Sequence, residues 1–255
     1  MMRLLKWALI AAAMSVISPS RAEVLIGDAS PLTGPISWVG AQYLAGTELA
    51  VADLNATGGV LGEQVQLVSV DDACATEQAV AAARKLISDG VVFVVGHVCS
   101  GAAIAAAPLY EAASVTMMSA SATNPRLTEE GRANVFRVVG RDDQQGIIAG
   151  DYLAEHWGDK RIAILHDGQP YGAGIAAESR KQLNKRGVSE SCTSRSHRVR
   201  STIPMWCPAS RRPAQMSCTM AVMFPRQASS SARLGLATMA CNWSRPTACR
   251  AKTSG

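Results

Sequence analysis

The stretch 91–124, VVFVVGHVCSGAAIAAAPLYEAASVTMMSASATN, decides how this chain is read. Residues 91–95 form a continuous apolar run, the pattern of a strand covered on both faces of a parallel sheet. A turn carrying Cys99 and Ser100 follows, then an Ala-rich helix over 102–113 with Pro108 inside it. A second short strand, 115–118, runs into Ser119, Ser121 and Thr123. Two strand ends with small hydroxyls and free backbone N–H groups make a pocket suited to a small zwitterion.

The same alternation continues upstream. Residues 24–30 (VLIGDAS) read as a buried strand, and Pro31-Leu32-Thr33-Gly34-Pro35 as a turn. A helix is expected over 41–55, stopped by Gly58-Gly59. Residues 63–70 (EQVQLVSV) alternate as a strand does, Asp71-Asp72 close it, and an amphipathic helix spans 76–88. Strand and helix alternate throughout, which specifies a doubly wound α/β sheet. Ligands of such sheets sit outside the carboxyl ends of the strands. Ser30, Asp71, residues 97–100 and residues 119–123 all fall at those ends.

Downstream, a short strand at 135–139 leads into a polar crossing at 140–145, a natural hinge. A helix at 147–157, a strand at 161–165, a loop at 166–174 and a helix at 175–185 begin a second lobe.

The formal charge of +5 averages two unlike pieces. All 20 acidic residues lie in 1–190, with 15 Lys and Arg, whereas 191–255 holds ten Lys and Arg and no acid. The tail also holds five of the seven Cys and no sustained apolar period. Basic charge therefore does not argue for nucleic acid, because the basic segment lacks interleaved aromatics and the chain opens with an export signal. Arg3 and Lys6 precede a short apolar run, Trp7 to Ile17, and Ser20-Arg21-Ala22 fits a cleavage site. A signal peptide over 1–22, cleaved before Glu23, is expected, with delivery to an oxidising periplasm.

Four ordered motifs now carry a resemblance. They are Asp71-Asp72-Ala73-Cys74; Gly96-His97-Val98-Cys99-Ser100; Ser121-Ala122-Thr123-Asn124-Pro125 with Leu127-Thr128; and His166-Asp167 followed by Gln169 and Tyr171-Gly172. They resemble the periplasmic leucine/isoleucine/valine-binding proteins of ABC importers over about residues 23–190. The resemblance implies a type I periplasmic-binding-protein fold, with doubly wound parallel sheets in two lobes. Residues 23–141 are the first ligand-binding lobe, and 142–190 start a second lobe that is truncated. It implies a monomer that carries leucine, isoleucine or valine to an inner-membrane ABC permease.

Roles follow position by position. Ser100 resembles the serine that binds the α-carboxylate, and Thr123 the threonine that touches carboxylate and ammonium. Ser121 stands where the family offers a backbone carbonyl to the ammonium. Asp142 resembles the cleft aspartate, with Asp143 beside it as the alternative. Tyr171 resembles the second-lobe tyrosine that closes over the ligand. The family's aromatic after the Thr33-Gly34-Pro35 turn matches Val39 by count, with Trp38 one residue earlier; a one-place shift brings Trp38 into the site. Cys74 and Cys99 resemble the family's disulfide pair.

Other classes have less behind them. A thiolate enzyme would use Cys99, His97 and an Asp. Zinc lacks a second ligand pair at metal spacing. No Gly-rich phosphate loop, Gly-x-Ser-x-Gly elbow or HExxH motif is present, so no catalytic residue, metal or cofactor is expected. The remaining alternatives keep the fold: a ligand-sensing domain, or a binder of short amides and urea-like solutes.

After Glu190 the resemblance stops, and the codons offer a reason. Taking the third base of each codon with the next two, Met220-Ala221 fixes GGC, glycine, and Met223-Phe224 fixes GTT, valine. The neighbouring codons allow Tyr-Gly-Gly-Tyr-Val-Pro, very like a second-lobe motif of the same family. A shifted reading frame is therefore expected over 191–255, leaving a basic, disordered tail.

Overall fold

The computed structural model describes residues 23–195, 218–222 and 237–241. Residues 1–22, where a signal peptide is expected, and most of the tail lie outside the described residues. Five strands build the first lobe: β1 (Glu23–Ser30), β2 (Gln64–Asp71), β3 (Phe93–Gly96), β4 (Thr116–Ser119) and β5 (Val135–Arg137). They form one sheet in the order β2-β1-β3-β4-β5, parallel throughout. The change of direction from β1 toward both β2 and β3 is the switch point of a doubly wound sheet.

Strand periodicity sorts side chains between the faces. Gly27, Ala29, Val94 and Met117 face α2 (Thr76–Ser88) and α3 (Ser100–Ala112). With Leu86, Ala103, Ala107 and Tyr110 they form the main core. Ala is frequent on α3 because this helix lies close to the sheet, and it continues through Pro108. The opposite face carries α1 (Ser37–Ala56), where Ile26, Phe93 and Val95 line a groove of about 460 Å³ under Tyr43, Thr47 and Leu54. Phe136 on β5 is 45% exposed, so the outer part of this face lacks a helix among the described residues.

The second lobe is centred on β6 (Arg161–His166). It is flanked in parallel by β7 (Cys192–Arg195) and β8 (Cys218–Val222), with β9 (Ala237–Cys241) antiparallel to β8. These last three strands fall inside 191–255, so the expectation of a disordered tail does not extend to them. Both edges of β6 present unpaired backbone groups, and extended segments satisfy them. The rest of the tail lies outside the described residues.

Two helices cover β6: α5 (Asp142–Trp157) and α6 (Pro170–Lys185). A short α4 (Arg126–Glu129) precedes β5. Gly146 and Gly150 let α5 approach α6 closely; a Cβ at either would come within 2.3 Å and 2.6 Å of the Cβ atoms of Glu178 and Gln182. Both helices start about five residues earlier than their apolar pattern indicates. Their first turns are polar for a physical reason: Asp142 and Asp143 meet the positive helix end, and Pro170 occupies a position whose N–H needs no partner. Tyr171 therefore stands in the first turn of α6 rather than in a loop.

Candidate functional site

The register aligns the carboxyl ends of four strands. Ser30 pairs with Asp71, Ala29 with Gly96, and Val95 with Met118, so the following residues share one rim. Each loop on that rim is held by a named polar group. Asp71 Oδ1 accepts from the N–H of Leu32 and Ala73, both at 2.8 Å, and Asp71 also takes the Thr33 hydroxyl. Burial raises the Asp71 pKa, but the donors from Thr33, Ala73 and Leu32 outweigh it and leave the carboxyl below its ordinary value.

Ala73 and Cys74 take positive φ of 43° and 59°, a conformation held by the Asp71 carboxylate, which accepts the Ala73 N–H, by the Asp72 carboxylate, which accepts the Cys74 N–H, and by the Cys74–Cys99 disulfide. The bridge, with Cα atoms 5.5 Å apart, ties the loop after β2 to the loop after β3. Cys99 is the N-cap of α3, so the bridge fixes where that helix begins. Ser100 is its first residue, 3% exposed, and its Oγ accepts the Asn124 N–H at 3.3 Å. The N–H groups at this helix end, with its dipole, favour an anion.

The 119–124 loop closes the rim. Ser119 Oγ donates to the His97 carbonyl at 2.8 Å and accepts from the Ala122 N–H at 2.9 Å and the Ser121 N–H at 3.4 Å. Tyr43 OH donates to the Ala120 carbonyl at 3.1 Å. Ser121 and Thr123 are half-buried. The two lobes meet beside this loop: the Asp142 N–H donates to the Thr123 carbonyl at 3.0 Å, and Asn124 Nδ2 to the Pro170 carbonyl at 2.8 Å.

Asp142 is fully buried, and neither carboxylate oxygen has a hydrogen-bond partner; the Thr123 hydroxyl is likewise buried and unsatisfied. That hydroxyl faces Asp142 closely enough to favour its charge without reaching hydrogen-bond geometry. Gly174 lets α6 pack directly against them; a Cβ there would lie 2.7 Å from Asn124 Nδ2 and 3.2 Å from Asp142 Oδ2. Burial raises the Asp142 carboxyl to about 6, with Thr123 and Arg137 opposing and Asp143 and Glu178 adding. Asp143 turns away and pairs with Arg141, Nη2 to Oδ2 at 2.7 Å and Nε to Oδ1 at 3.1 Å. Of the two neighbouring acids, Asp142 is the one directed inward.

A titration follows from that burial. An acid with a folded pKa above its unfolded value of about 3.9 binds its proton more tightly in the fold. Its stabilising effect is complete below about pH 4 and is lost as pH rises through about 6. The cost at pH 7.5 is then about 2–3 kcal/mol. Asp142→Asn should therefore gain about 2–3 kcal/mol over the parent between pH 4 and 7.5. Urea unfolding at both pH values checks this; parallel pH profiles would rule it out.

Other candidates fall elsewhere. Trp38, in the first turn of α1, is 52% exposed, while Val39 packs on the cluster of Ile36, Ala79, Val98, Cys99 and Ala102. Tyr171 is half-buried beside Pro170, opposite the start of α3, where a Cβ on Gly101 would meet Pro170 Cγ at 3.2 Å. The groove under α1 includes none of Ser100, Ser121, Thr123, Asp142 or Tyr171.

His97 is sealed below the rim. Its Nδ1 lies 2.6 Å from Asp72 Oδ2 and its Nε2 3.2 Å from Tyr110 OH, all three side chains fully buried. With Cys99 in a disulfide and both ring nitrogens engaged, a Cys–His pair for thiolate chemistry is not assembled. No three His, Cys, Asp or Glu among the described residues are placed to hold a metal. No helix among them is long and apolar enough to cross a membrane.

Sequence reading missed Asn124, which bridges the lobes, and Arg137, which holds the 122–128 loop. Asn124-Pro125 carries a turn signal, but its partner Pro170 is 46 residues away.

Comparison with known proteins agrees with the fold. A family model described as periplasmic binding protein matches residues 23–202. An amino acid binding protein of Pseudomonas aeruginosa is 43% identical over 182 residues, covering 71% of this chain and 49% of that protein. The leucine-, isoleucine-, valine-, threonine-, and alanine-binding protein of the same organism is 46% identical over 165 residues, 65% of this chain and 44% of its own. The leucine-binding protein LivK of Thermotoga maritima superposes with a TM-score of 0.61 at 31% identity, over 68% of this chain and 49% of that one. The chain spans about half the length of the curated relatives it matches.

Proposed function

Because the chain belongs to the periplasmic binding protein family, we propose that it is the solute-binding protein of a branched-chain amino-acid importer, acting in the periplasm without a chemical step. The observation that carries this reading is the pairing of opposite features at one rim. The start of α3, with Ser100 in its first turn, offers N–H groups to an α-carboxylate. The unsatisfied Thr123 hydroxyl and the buried, unpartnered Asp142 carboxylate offer a seat for an ammonium. The Ser121 backbone adds a carbonyl to that seat.

A neutral amide would leave the Asp142 charge unpaired, so the geometry favours a zwitterion over short amides. Tyr171, in the first turn of α6, is the side chain that closes over the ligand from the second lobe. Trp38 borders the aliphatic end only if the 31–36 turn shifts, so it is the weakest member of the set. Names of relatives support leucine, isoleucine and valine as solutes. The delivered amino acid passes to an inner-membrane ABC permease.

The second lobe is incomplete in this reading, because the frame changes after Glu190. The hidden Gly and Val codons near 220–224 support this. Resequencing across codon 190 tests it; an unambiguous, unshifted run would end it. Export is tested by N-terminal sequencing, which should begin at Glu23. For ligand class, calorimetry of the frame-restored protein should register leucine, isoleucine and valine and not acetamide or urea. A response to the amides alone would move the reading to the other solute class.

A further inference from the structure

Arg137 ends β5, and the register pairs it with Ser119, the last residue of β4. From there its guanidinium spans the loop that carries the candidate site. Nη1 donates to the Ala122 carbonyl at 2.8 Å. Nη2 donates to the carbonyls of Asn124 and Pro125 at 2.9 and 3.3 Å, and to the Thr128 hydroxyl at 2.8 Å. Ala122 and Asn124 are buried, and a buried carbonyl needs a donor. The fork therefore satisfies the backbone on both sides of Thr123. A lysine, with one donor centre, cannot span these acceptors.

The same guanidinium bears on Asp142. Around that carboxylate stand Arg137 from β5, Asp143 from its own helix and Glu178 from α6, with Thr123 from the loop. Arg141 is the other nearby base, and it is engaged with Glu129 and Asp143. Arg137 is thus the cation that offsets the two neighbouring acids.

We propose that Arg137 is the positioning residue of the candidate site: it fixes the backbone on both sides of Thr123, and with it the hydroxyl that faces Asp142. The word site rests on the functional reading above; the positioning itself does not.

The test uses the 255-residue chain with Arg137→Lys and Arg137→Met. Hydrogen exchange is read at the Ala122 and Asn124 amides, which bond the Ser119 and Ser100 hydroxyls, and at Gly27 and Val94 in the sheet as controls. Both variants should speed exchange at the loop amides about tenfold, with the controls unchanged. Arg137→Met should also raise the pH midpoint of the stability limb that Asp142→Asn abolishes, by about one unit. Arg137→Lys should restore that midpoint but not the loop protection. Equal acceleration at all four amides means a merely structural role and overturns the proposal, as does unchanged loop exchange. If Arg137→Met does not fold, the lysine variant decides alone by the same loop-against-control comparison. A chain that ignores leucine counts against the functional reading only, because the exchange arm uses no ligand.

Discussion

Replacing His97 by alanine is expected to cost the fold about 4 kcal/mol. The imidazole lies between the Asp72 carboxylate and the Tyr110 hydroxyl, and none of the three is exposed. The consistent arrangement has Nδ1–H donating to Asp72 and the Tyr110 O–H donating to Nε2. Burial raises the Tyr110 phenol above its ordinary range, with the Asp72 charge adding to this, so Tyr110 remains a neutral donor. Removing the ring leaves Asp72 with the Cys74 N–H, at 2.8 Å, among the hydrogen bonds that remain. Breaking one side of a buried pair is the costly change, because the surviving charge has no water to turn to.

Asp28 makes the loss worse. It is fully buried, its Oδ2 accepts the Thr47 hydroxyl at 3.1 Å, and its Oδ1 has no partner. Burial raises its pKa, with the Ser30 and Thr47 hydroxyls opposing, Asp72 adding and His97 opposing again. Urea unfolding at pH 7 is the check, with Asp72→Asn/His97→Ala as a second variant. The double change should lose less than the two single changes together, since it removes the orphaned charge. A single-variant cost under about 1 kcal/mol would mean the cluster is not coupled as described.

The second large effect concerns the Cys74–Cys99 bridge. Cross-linking residues 25 apart stabilises by about 3 kcal/mol when the geometry is unstrained. Here the bridge also orients the first turn of α3, since Cys99 caps it and Ser100 follows. Cys74→Ser/Cys99→Ser should lower the melting temperature by about 6–12 °C. It should weaken amino-acid binding as well, because the anion-binding N–H groups would lose their fixed direction. A thiol count on the unreduced protein should find neither residue reactive. Full reactivity at both, or an unchanged melting temperature, would contradict this.

Legibility in the sequence depended on how local each feature was. The 91–124 stretch displayed its strand, helix and strand because apolar runs and hydroxyl turns follow one another in the chain. The α3 helix was legible for that reason, although the Ala-rich run placed its start at 102 and the helix begins at Ser100. The beginnings of α5 and α6 were not, since Asp142-Asp143 and Pro170-Tyr171 carry the polar composition of a loop; only the helix end that they satisfy explains them. The choice between Asp142 and Asp143 needed coordinates, because it turns on Arg141 folding back onto the second acid.

Arg137 was hidden more deeply. Nothing in Val-Phe-Arg marks a clamp, and its role comes from a strand register and three carbonyls of a separate loop. His97 read as a possible reactive side chain by type, and its burial between Asp72 and Tyr110 gives it a different task. Trp38 shows the reverse case: sequence adjacency put it near the site, and the helix phase of α1 leaves it half-exposed while Val39 faces inward.

The claim that both charged ends of an amino acid are gripped at one rim has a direct measurement. Leucine, 4-methylpentanoate and isopentylamine are titrated in turn into the frame-restored protein by calorimetry. The three share the aliphatic end and differ only in which charged group they carry. Binding of leucine alone, with each half-ligand weaker by at least about a hundredfold, is the predicted result. Equal binding of either half-ligand, or silence toward leucine itself, would contradict it.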